Sequence, residues 1–213
     1  MIGGVVLAAG AGRRFGSAKQ LASFQGRPLL EHALLAMSGA ALVDLRVVVL
    51  GANADEILAA VERHGAEPVI CPDWDEGQSA SLRAAVAALA ERVEALVITL
   101  GDQPSIDPAA IDRVIGARDG TSDAVRAAYG GRPGHPVLLE RALIERVGEL
   151  RGDQGARRLL DGAAVALVEC GDVGADTDID TPDQLDLSGG GSAPRWQAAG
   201  DRPAPSERRS PRP

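Results

Sequence analysis

Short runs of β-branched and aliphatic residues alternate along this chain with stretches rich in Ala, Leu, Glu and Arg. The short runs suit strands that are buried on both faces, and the longer stretches suit amphipathic helices. Repeated strand–helix units of this kind pack as a mostly parallel sheet that is covered by helices. The alternation therefore predicts an α/β fold of three layers.

The pattern gives bounds for each element. The predicted strands are residues 5–9, 45–50, 68–71, 95–100, 124–128, 136–139 and 165–169. The predicted helices, several of which open with Pro or a capping residue, are residues 28–37, 54–64, 80–91, 108–117, 141–147 and 156–160.

With 213 residues, of which 45% are hydrophobic, the chain is long enough to bury a sizeable core in one domain. We predict one globular domain over residues 1–187. From residue 188 to 213 the composition changes to Gly, Pro, Ser and Arg, with little aliphatic content. Such a segment cannot offset the entropy of ordering, so we predict a disordered tail.

The charge balance and the hydropathy pattern exclude some partners. Five of the 22 basic and two of the 30 acidic residues lie in the tail, which leaves 17 basic and 28 acidic residues in the domain, a net charge of −11. This balance argues against nucleic-acid binding. There is no basic leader and no apolar run long enough for a membrane span, so we expect a cytoplasmic protein without membrane partners. Cys71 and Cys170 are predicted to be buried free thiols.

A glycine-rich segment directly follows the first predicted strand. Gly10, Gly12 and Gly16 have no Cβ atoms, so backbone N–H groups can turn toward a triphosphate. Arg14 and Lys19 add positive charge for phosphate oxygens. We interpret the segment as a phosphate-binding loop, although an ordinary glycine-rich turn with surface Arg and Lys fits the same residues.

Two familiar phosphate-binding motifs do not match this loop. A Walker loop has Ser or Thr after its Lys, whereas Gln20 follows Lys19. In the dinucleotide-binding fingerprint the third Gly would come one residue before Gly16, and an acidic residue would end the second strand near Leu50. The spacing therefore argues against both, and a nicotinamide-dependent oxidoreductase is a remote alternative.

The fourth predicted strand ends in Gly101 and Asp102. Open α/β sheets bind their ligands at the carboxyl ends of the strands, and carboxylate oxygens suit Mg²⁺. Asp102 is therefore the strongest single candidate for a catalytic residue. A turn or helix-capping role before Pro104 or Pro108 is the alternative.

Carboxylates alternate again near the end of the domain, where Asp178 and Asp180 lie on one side of an extended segment. Either residue could face Asp102 across a Mg²⁺ ion, and the sequence leaves the choice open. Capping of a final helix fits Asp178 and Asp183 equally well.

Three further segments are candidates for substrate contacts. Ser79 and Ser81 lie in a polar turn before a helix, where they could cap that helix or bond a base edge. His135 follows a glycine-rich connection that predicts a hairpin. Asp153 lies between two glycines before another helix and is a candidate for the acceptor side.

In this order, the segments resemble the molybdenum cofactor nucleotidyltransferase family, most closely its cytidylyltransferases. The resemblance covers residues 3–187 and implies a Rossmann-like sheet of the nucleotide-diphospho-sugar transferase type. The motifs that carry it are Leu7-Ala8-Ala9-Gly10 with Lys19, Leu100-Gly101-Asp102-Gln103-Pro104, Gly134-His135-Pro136, Arg151-Gly152-Asp153 and Asp178-Ile179-Asp180-Thr181-Pro182.

The resemblance implies roles for these residues. Catalysis would depend on Arg14, Lys19 and Asp102. Asp102 and Asp180 would hold Mg²⁺. The acceptor would contact His135 and Asp153. The residues implied to bind the nucleotide are Leu7, Ala8, Ala9, Gly10, Gly12, Arg14, Lys19, Gln78, Ser79, Ser81 and Asp102.

The implied reaction is transfer of CMP from CTP to molybdopterin with release of pyrophosphate, and a molybdoenzyme is a possible recipient of the product. CTP is expected because Ala9 stands where guanylyl-transferring relatives have Gly. The alternatives are guanylyl transfer from GTP, nucleotidyl transfer to a sugar phosphate, and a nucleotide-binding module without catalysis.

Overall fold

The computed structural model describes residues 1–12, 15–16, 18–181 and 183–185. Arg14 and the predicted tail, residues 188–213, lie outside the described residues. Within the described part of the chain, no helix is long and apolar enough to cross a membrane.

A seven-stranded sheet with the order β5-β4-β1-β6-β8-β7-β9 forms the centre of the molecule. All neighbouring strands run parallel except at β8, which is antiparallel to both β6 and β7. The strands of this sheet are β1 (Ile2–Leu7), β4 (Leu45–Leu50), β5 (Glu67–Ile70), β6 (Ala95–Leu100), β7 (Ala124–Tyr129), β8 (Arg132–Glu140) and β9 (Val165–Glu169). β2 (Ser23–Phe24) and β3 (Arg27–Pro28) form a separate small hairpin that the sequence did not predict.

Helices cover both faces of the sheet and bury a separate core on each. Successive strand residues alternate between the two cores: Val5 packs in one and Val6 in the other. The helices are α1 (Leu29–Gly39), α2 (Ala54–Ala60), α3 (Gln78–Leu89), α4 (Pro108–Gly116), α5 (Arg141–Arg146) and α6 (Ala156–Leu160). This three-layer arrangement confirms the predicted fold class.

Most helix bounds differ from the predicted ones by one or more residues, and two of these differences have clear local reasons. Helix α2 ends at Ala60 because Val61 is extended and His64 takes a positive φ of 46°. Helix α3 begins two residues earlier than predicted, at Gln78, because Gly77 precedes it with φ 108° and ψ −174°. The earlier start brings Gln78 to the end of the helix that faces the first loop.

Two local predictions are confirmed. β7 and β8 form a hairpin whose turn is Gly130-Gly131, with positive φ angles of 60° and 77°. Such angles suit the tight turns that match the twist of paired strands. Cys71 and Cys170 are both free and buried.

Candidate functional site

The carboxyl ends of β1 and β6 lie side by side at the centre of the sheet. Leu7 and Leu100, the last residues of these strands, are paired in register, and the Gly101 N–H donates to the Leu7 carbonyl at 2.9 Å. The two following loops are in contact, since a Cβ on Gly101 would lie 2.9 Å from the Cβ of Ala8. Glycine at position 101 therefore lets the Asp102 loop approach the first loop.

Gln20 fixes the shape of the first loop. Its buried side-chain amide donates to the carbonyl oxygens of Ala8 and Gly10, at 2.7 Å each. Gln20 lies in a short 3₁₀ turn, Lys19–Leu21, so the same turn that holds the loop also carries Lys19. The sequence reading missed this role, although Gln20 directly follows the predicted phosphate-binding Lys.

Lys19 joins two of the predicted carboxylates. Its ammonium Nζ lies 2.8 Å from Asp102 Oδ2 and 2.9 Å from Asp180 Oδ1. The Lys19 side chain is only 12% exposed, so little water competes for these contacts. Burial lowers the pKa of Lys19, but the bonds to Asp102 and Asp180 outweigh this effect, and the pKa is raised above its ordinary value. The lysine is therefore charged at neutral pH.

Asp180 reaches Lys19 because its segment is attached to the Asp102 loop. The Ile179 N–H donates to the Asp102 carbonyl at 3.1 Å. Asp178 instead accepts a hydrogen bond from Gln103 at 2.7 Å. Of the two carboxylates that the sequence left open, the geometry therefore favours Asp180 as the partner of Asp102.

The residues around Asp102 suit a divalent cation. Asp102 Oδ1 is buried and has no hydrogen-bond partner among the described residues. Asp102 and Asp180 already share one positive group, the Lys19 ammonium, and they offer the oxygen ligands that Mg²⁺ prefers. Asp102 does not cap α4, because Asp107 accepts from the Ala109 N–H at that position.

Gln103 connects the Asp102 loop to the segment that carries the other carboxylates. This side chain is 2% exposed, and its amide donates to Asp176 and Asp178 and lies 3.5 Å from His135 Nδ1. Burial, together with the nearby charge of Arg126, lowers the pKa of His135 to about 4. At neutral pH His135 is therefore uncharged and would bring no positive charge to an acceptor molecule.

Two cavities that share Leu7, Gly10 and Asp102 open at this edge of the sheet. The larger measures about 430 Å³ and the smaller about 180 Å³. The first is lined by Leu7, Ala9, Gly10, Ala11, Trp74, Asp75, Gly77, Gln78, Ser81, Leu100, Asp102 and Asp153. The second is lined by Leu7, Ala8, Gly10, Gly12, Lys19, Gln20, Gly101 and Asp102. Together they have the size of a pocket for a nucleotide-sized ligand.

Most of the predicted site residues described by the structure border one of these cavities, but Ser79, His135 and Asp180 do not. Asp180 lies beside the cleft through its contact with Lys19. Ser79 is fully buried, and its Oγ accepts from Arg83 at 3.2 Å, so it neither caps α3 nor presents its hydroxyl to the cleft. His135 lies behind Gln103 rather than on either cavity wall.

The half-buried Trp74 borders the larger cavity and was not among the predicted site residues. It packs against the backbone of Gly51, where a Cβ would lie 2.4 Å from Trp74 Cβ. Aromatic residues are rare in this chain, which has two Trp residues and 2% aromatic content. This rarity could have marked Trp74 as a site candidate. Trp74 gives the lining of the larger cavity an aromatic side chain.

A second group of possible metal ligands borders neither cavity. Oxygen or nitrogen atoms of Glu31, Glu62 and His64 lie within 4.8 Å of one another. Arg27 pairs with Glu31 at 3.2 Å, so this group already contains a positive partner. The Asp102 and Asp180 pair is better placed to act on a ligand in the cleft.

The like charges of Asp176 and Asp178 predict a pH-dependent stability. Burial, followed by the charge of Asp178, raises the pKa of Asp176. A raised folded-state pKa stabilises the fold at low pH, and this contribution is lost as the pH rises through that pKa. We therefore expect Asp176→Asn to be more stable than wild type at neutral pH, with the difference shrinking toward about pH 4.

Urea unfolding between about pH 4 and pH 8 measures this effect. Asp172→Asn is the matched control, because Arg113 lowers the pKa of Asp172 and its removal should act in the opposite direction. A constant difference between Asp176→Asn and wild type across this range would contradict the expectation.

Comparison with known proteins agrees with this architecture. The family model described as the MobA-like NTP transferase domain matches residues 4–169. Nicotine blue oxidoreductase of Paenarthrobacter nicotinovorans is 34% identical over 194 residues, which cover 85% of this chain and 93% of that protein. The 3-deoxy-manno-octulosonate cytidylyltransferase of Anaeromyxobacter sp. (strain K) is 36% identical over 129 residues, which cover 61% of this chain and 51% of that enzyme.

Among solved structures, Rv0371c from Mycobacterium tuberculosis H37Rv superposes with a TM-score of 0.78 at 30% identity, covering 88% of this chain and 96% of that chain. Rv0371c has also been solved in complex with manganese, with a TM-score of 0.74 at 29% identity, covering 88% of this chain and 97% of that one. The fold and the extent of the sequence match agree. The chain is thus a nucleotidyltransferase that belongs to the MobA-like NTP transferase family.

Proposed function

We propose that this protein transfers CMP from CTP to molybdopterin, with release of pyrophosphate and with Mg²⁺ held by Asp102 and Asp180. The observation that carries the proposal is the contact of Lys19 with both carboxylates beside the cleft. Nucleotidyl transfer needs positive charge against a triphosphate and carboxylates for a divalent cation. Lys19, Asp102 and Asp180 would meet both requirements in one cluster.

The nucleotide would lie across the two cavities. Backbone N–H groups around Gly10 and Gly12, together with Lys19, would bind the phosphates in the smaller cavity. Arg14 would add a second positive charge for the triphosphate, as its place in the sequence motif suggests. The base would lie in the larger cavity, against the first loop and the start of α3. Ser79 would support that end of α3 through its bond to Arg83.

In the proposed reaction, a terminal phosphate oxygen of molybdopterin attacks the α-phosphorus of CTP. A new P–O bond forms to the acceptor, and the bond from the α-phosphorus to the bridging oxygen breaks, so that pyrophosphate leaves. Bound Mg²⁺ would neutralise charge that develops on the phosphate oxygens. Lys19 and Arg14 would orient the triphosphate, and no covalent intermediate with the protein is needed.

Two observations support cytosine as the base. Ala9 is 4% exposed and borders the larger cavity, where its methyl group reduces the space for a purine. The matching relative from Anaeromyxobacter is named as a cytidylyltransferase.

The manganese-bound form of Rv0371c supports a divalent cation in the same fold.

We expect CTP to be preferred to GTP by roughly 10- to 200-fold in kcat/KM, which is the effect of one methyl-sized steric difference. Ala9→Gly should raise the rate with GTP while leaving the rate with CTP within a small factor. Initial rates with both nucleotides measure this. Equal use of CTP and GTP by wild type would refute the assignment, and an unchanged preference in Ala9→Gly would move discrimination to the Gln78 and Ser81 side of the cavity.

The direct test incubates the protein with Mg²⁺, molybdopterin and each of the four nucleoside triphosphates, with pyrophosphate release as the readout. The same assay with a sugar phosphate in place of molybdopterin tests the alternative acceptor. Turnover of CTP with molybdopterin alone supports the proposal. Turnover with the sugar phosphate alone would retain nucleotidyl transfer and replace the acceptor. A further incubation with a molybdoenzyme apoprotein would test transfer of the product.

The relative named nicotine blue oxidoreductase favours one other candidate, a reductase acting with a nicotinamide cofactor. The glycine spacing of the first loop opposes it, because Gly16 comes one residue late for a dinucleotide-binding loop. A fluorescence titration with NADH and NADPH separates the two candidates. Micromolar binding of either cofactor, without pyrophosphate release from any triphosphate, would favour the reductase.

A further inference from the structure

The contact between Lys19 and the two carboxylates has a consequence for the order in which ligands bind. We infer that Lys19 occupies the position of the divalent cation, so that the cation binds weakly until the triphosphate is present. This inference rests on the proposed function, because it concerns the cation and the nucleotide of that same site. It adds that the resting protein binds the metal–triphosphate complex more tightly than the free metal.

Lys19 already occupies one oxygen of each carboxylate in the arrangement that the structure describes. Lys19 Nζ lies within 2.9 Å of one oxygen from Asp102 and one from Asp180. A metal ion that bound the same two oxygens would lie against the ammonium, and like charges at such a distance repel strongly where water is scarce. The ammonium must therefore move before a metal can bind these two oxygens.

Free metal gives the ammonium no new partner, whereas a triphosphate does. Lys19 is largely buried, and its displacement would leave a charged group without a counter-ion. The smaller cavity, lined by Gly10, Gly12 and Lys19, provides a place for phosphate oxygens within reach of the same side chain. Once the ammonium turns to the phosphate, both Asp102 oxygens and Asp180 become available, so the two ligands must favour each other's binding.

The residue type fits this exchange. Lys19 is the only lysine of the chain, and the other 21 of its 22 Lys and Arg residues are arginine. A guanidinium binds carboxylates with a planar fork of donors, whereas an ammonium is a compact charge on a flexible stem. A lysine can therefore move between carboxylate and phosphate partners more easily than an arginine.

The first experiment measures Mn²⁺ binding without nucleotide, by the electron paramagnetic resonance signal of free Mn²⁺, in three full-length proteins. We expect Lys19→Met to bind Mn²⁺ at least tenfold more tightly than wild type, because the competing ammonium is gone. Lys19→Arg, which keeps the positive charge, should bind no more tightly than wild type. Wild type should gain at least tenfold in Mn²⁺ affinity when CTP is added.

The second experiment needs no variant. Protein grown with ¹⁵N-labelled lysine has a single side-chain ammonium to observe, since the chain has one lysine. Millimolar Mg²⁺ alone should leave the Lys19 signal unchanged, and Mg²⁺ with CTP should shift it.

Two results would overturn the inference in different ways. The first is that wild type binds Mn²⁺ alone as tightly as Lys19→Met does, or that Mg²⁺ alone shifts the ammonium signal. Lys19 would then not compete with the free cation, while nucleotidyl transfer could still stand. If no protein binds Mn²⁺ even with CTP, the metal site fails, and the proposed function fails with it.

Discussion

Asparagine at position 102 is expected to reduce pyrophosphate release from CTP by roughly a hundredfold or more, the effect of removing one group that stabilises developing charge. A neutral amide binds a divalent cation more weakly than a carboxylate does, and it leaves Lys19 with one carboxylate partner instead of two. EDTA should abolish the turnover of wild type, because it removes the divalent cation that Asp102 and Asp180 would hold. Initial rates at saturating Mg²⁺ measure the effect.

The fold should survive this change. Asp102 is 31% exposed at its side chain, and Lys19 keeps its bond to Asp180, so we expect the free energy of unfolding to change by about 1 kcal/mol or less. Asp172→Asn, which removes an exposed carboxylate paired with Arg113, is the matched control for activity. Asp102→Asn with turnover within a few-fold of wild type, or undiminished activity in EDTA, would exclude the proposed role.

The second large effect is expected from Gly77→Ala, which should lower the free energy of unfolding by roughly 2 to 5 kcal/mol. Gly77 has φ 108° and ψ −174°, a region that other residues rarely adopt. A Cβ there would also lie 2.5 Å from the Gly152 carbonyl carbon and 2.7 Å from the Asp153 nitrogen. These contacts are with backbone, so the loop that carries Asp153 would have to move.

Urea unfolding compares this variant with Gly120→Ala. Gly120 also has a positive φ, 71°, but nothing lies within 4 Å of its added Cβ, so only backbone strain of about 1–2 kcal/mol is expected. Gly77→Ala should also weaken CTP binding, because Gln78 and Asp153 both border the larger cavity. Equal losses of stability in the two variants would show that the contact with Gly152 and Asp153 costs nothing.

The local sequence was sufficient for the architecture. The order along the chain and the type of the main strands and helices followed from the spacing of hydrophobic residues, which can be read within each segment. Parallel strands bring their carboxyl ends to one edge of a sheet, so Lys19 and Asp102 could be assigned to a common site before any coordinates were known. The bounds were less certain, because His64 and Gly77 end or begin their helices through backbone conformations that the hydrophobic pattern does not contain.

What only the tertiary structure decided was which side chains meet. The partners of Lys19 lie 83 and 161 residues away along the chain, so no spacing rule could select Asp180 over Asp178. That choice depends on the bond from Ile179 to Asp102 and on Gln103, which binds Asp178. Contacts between distant segments likewise decided that Ser79 is buried against Arg83 and that β8 lies antiparallel between β6 and β7. Sequence pattern determines the elements because it is local, whereas the site is a set of non-local contacts that forms only when the elements pack.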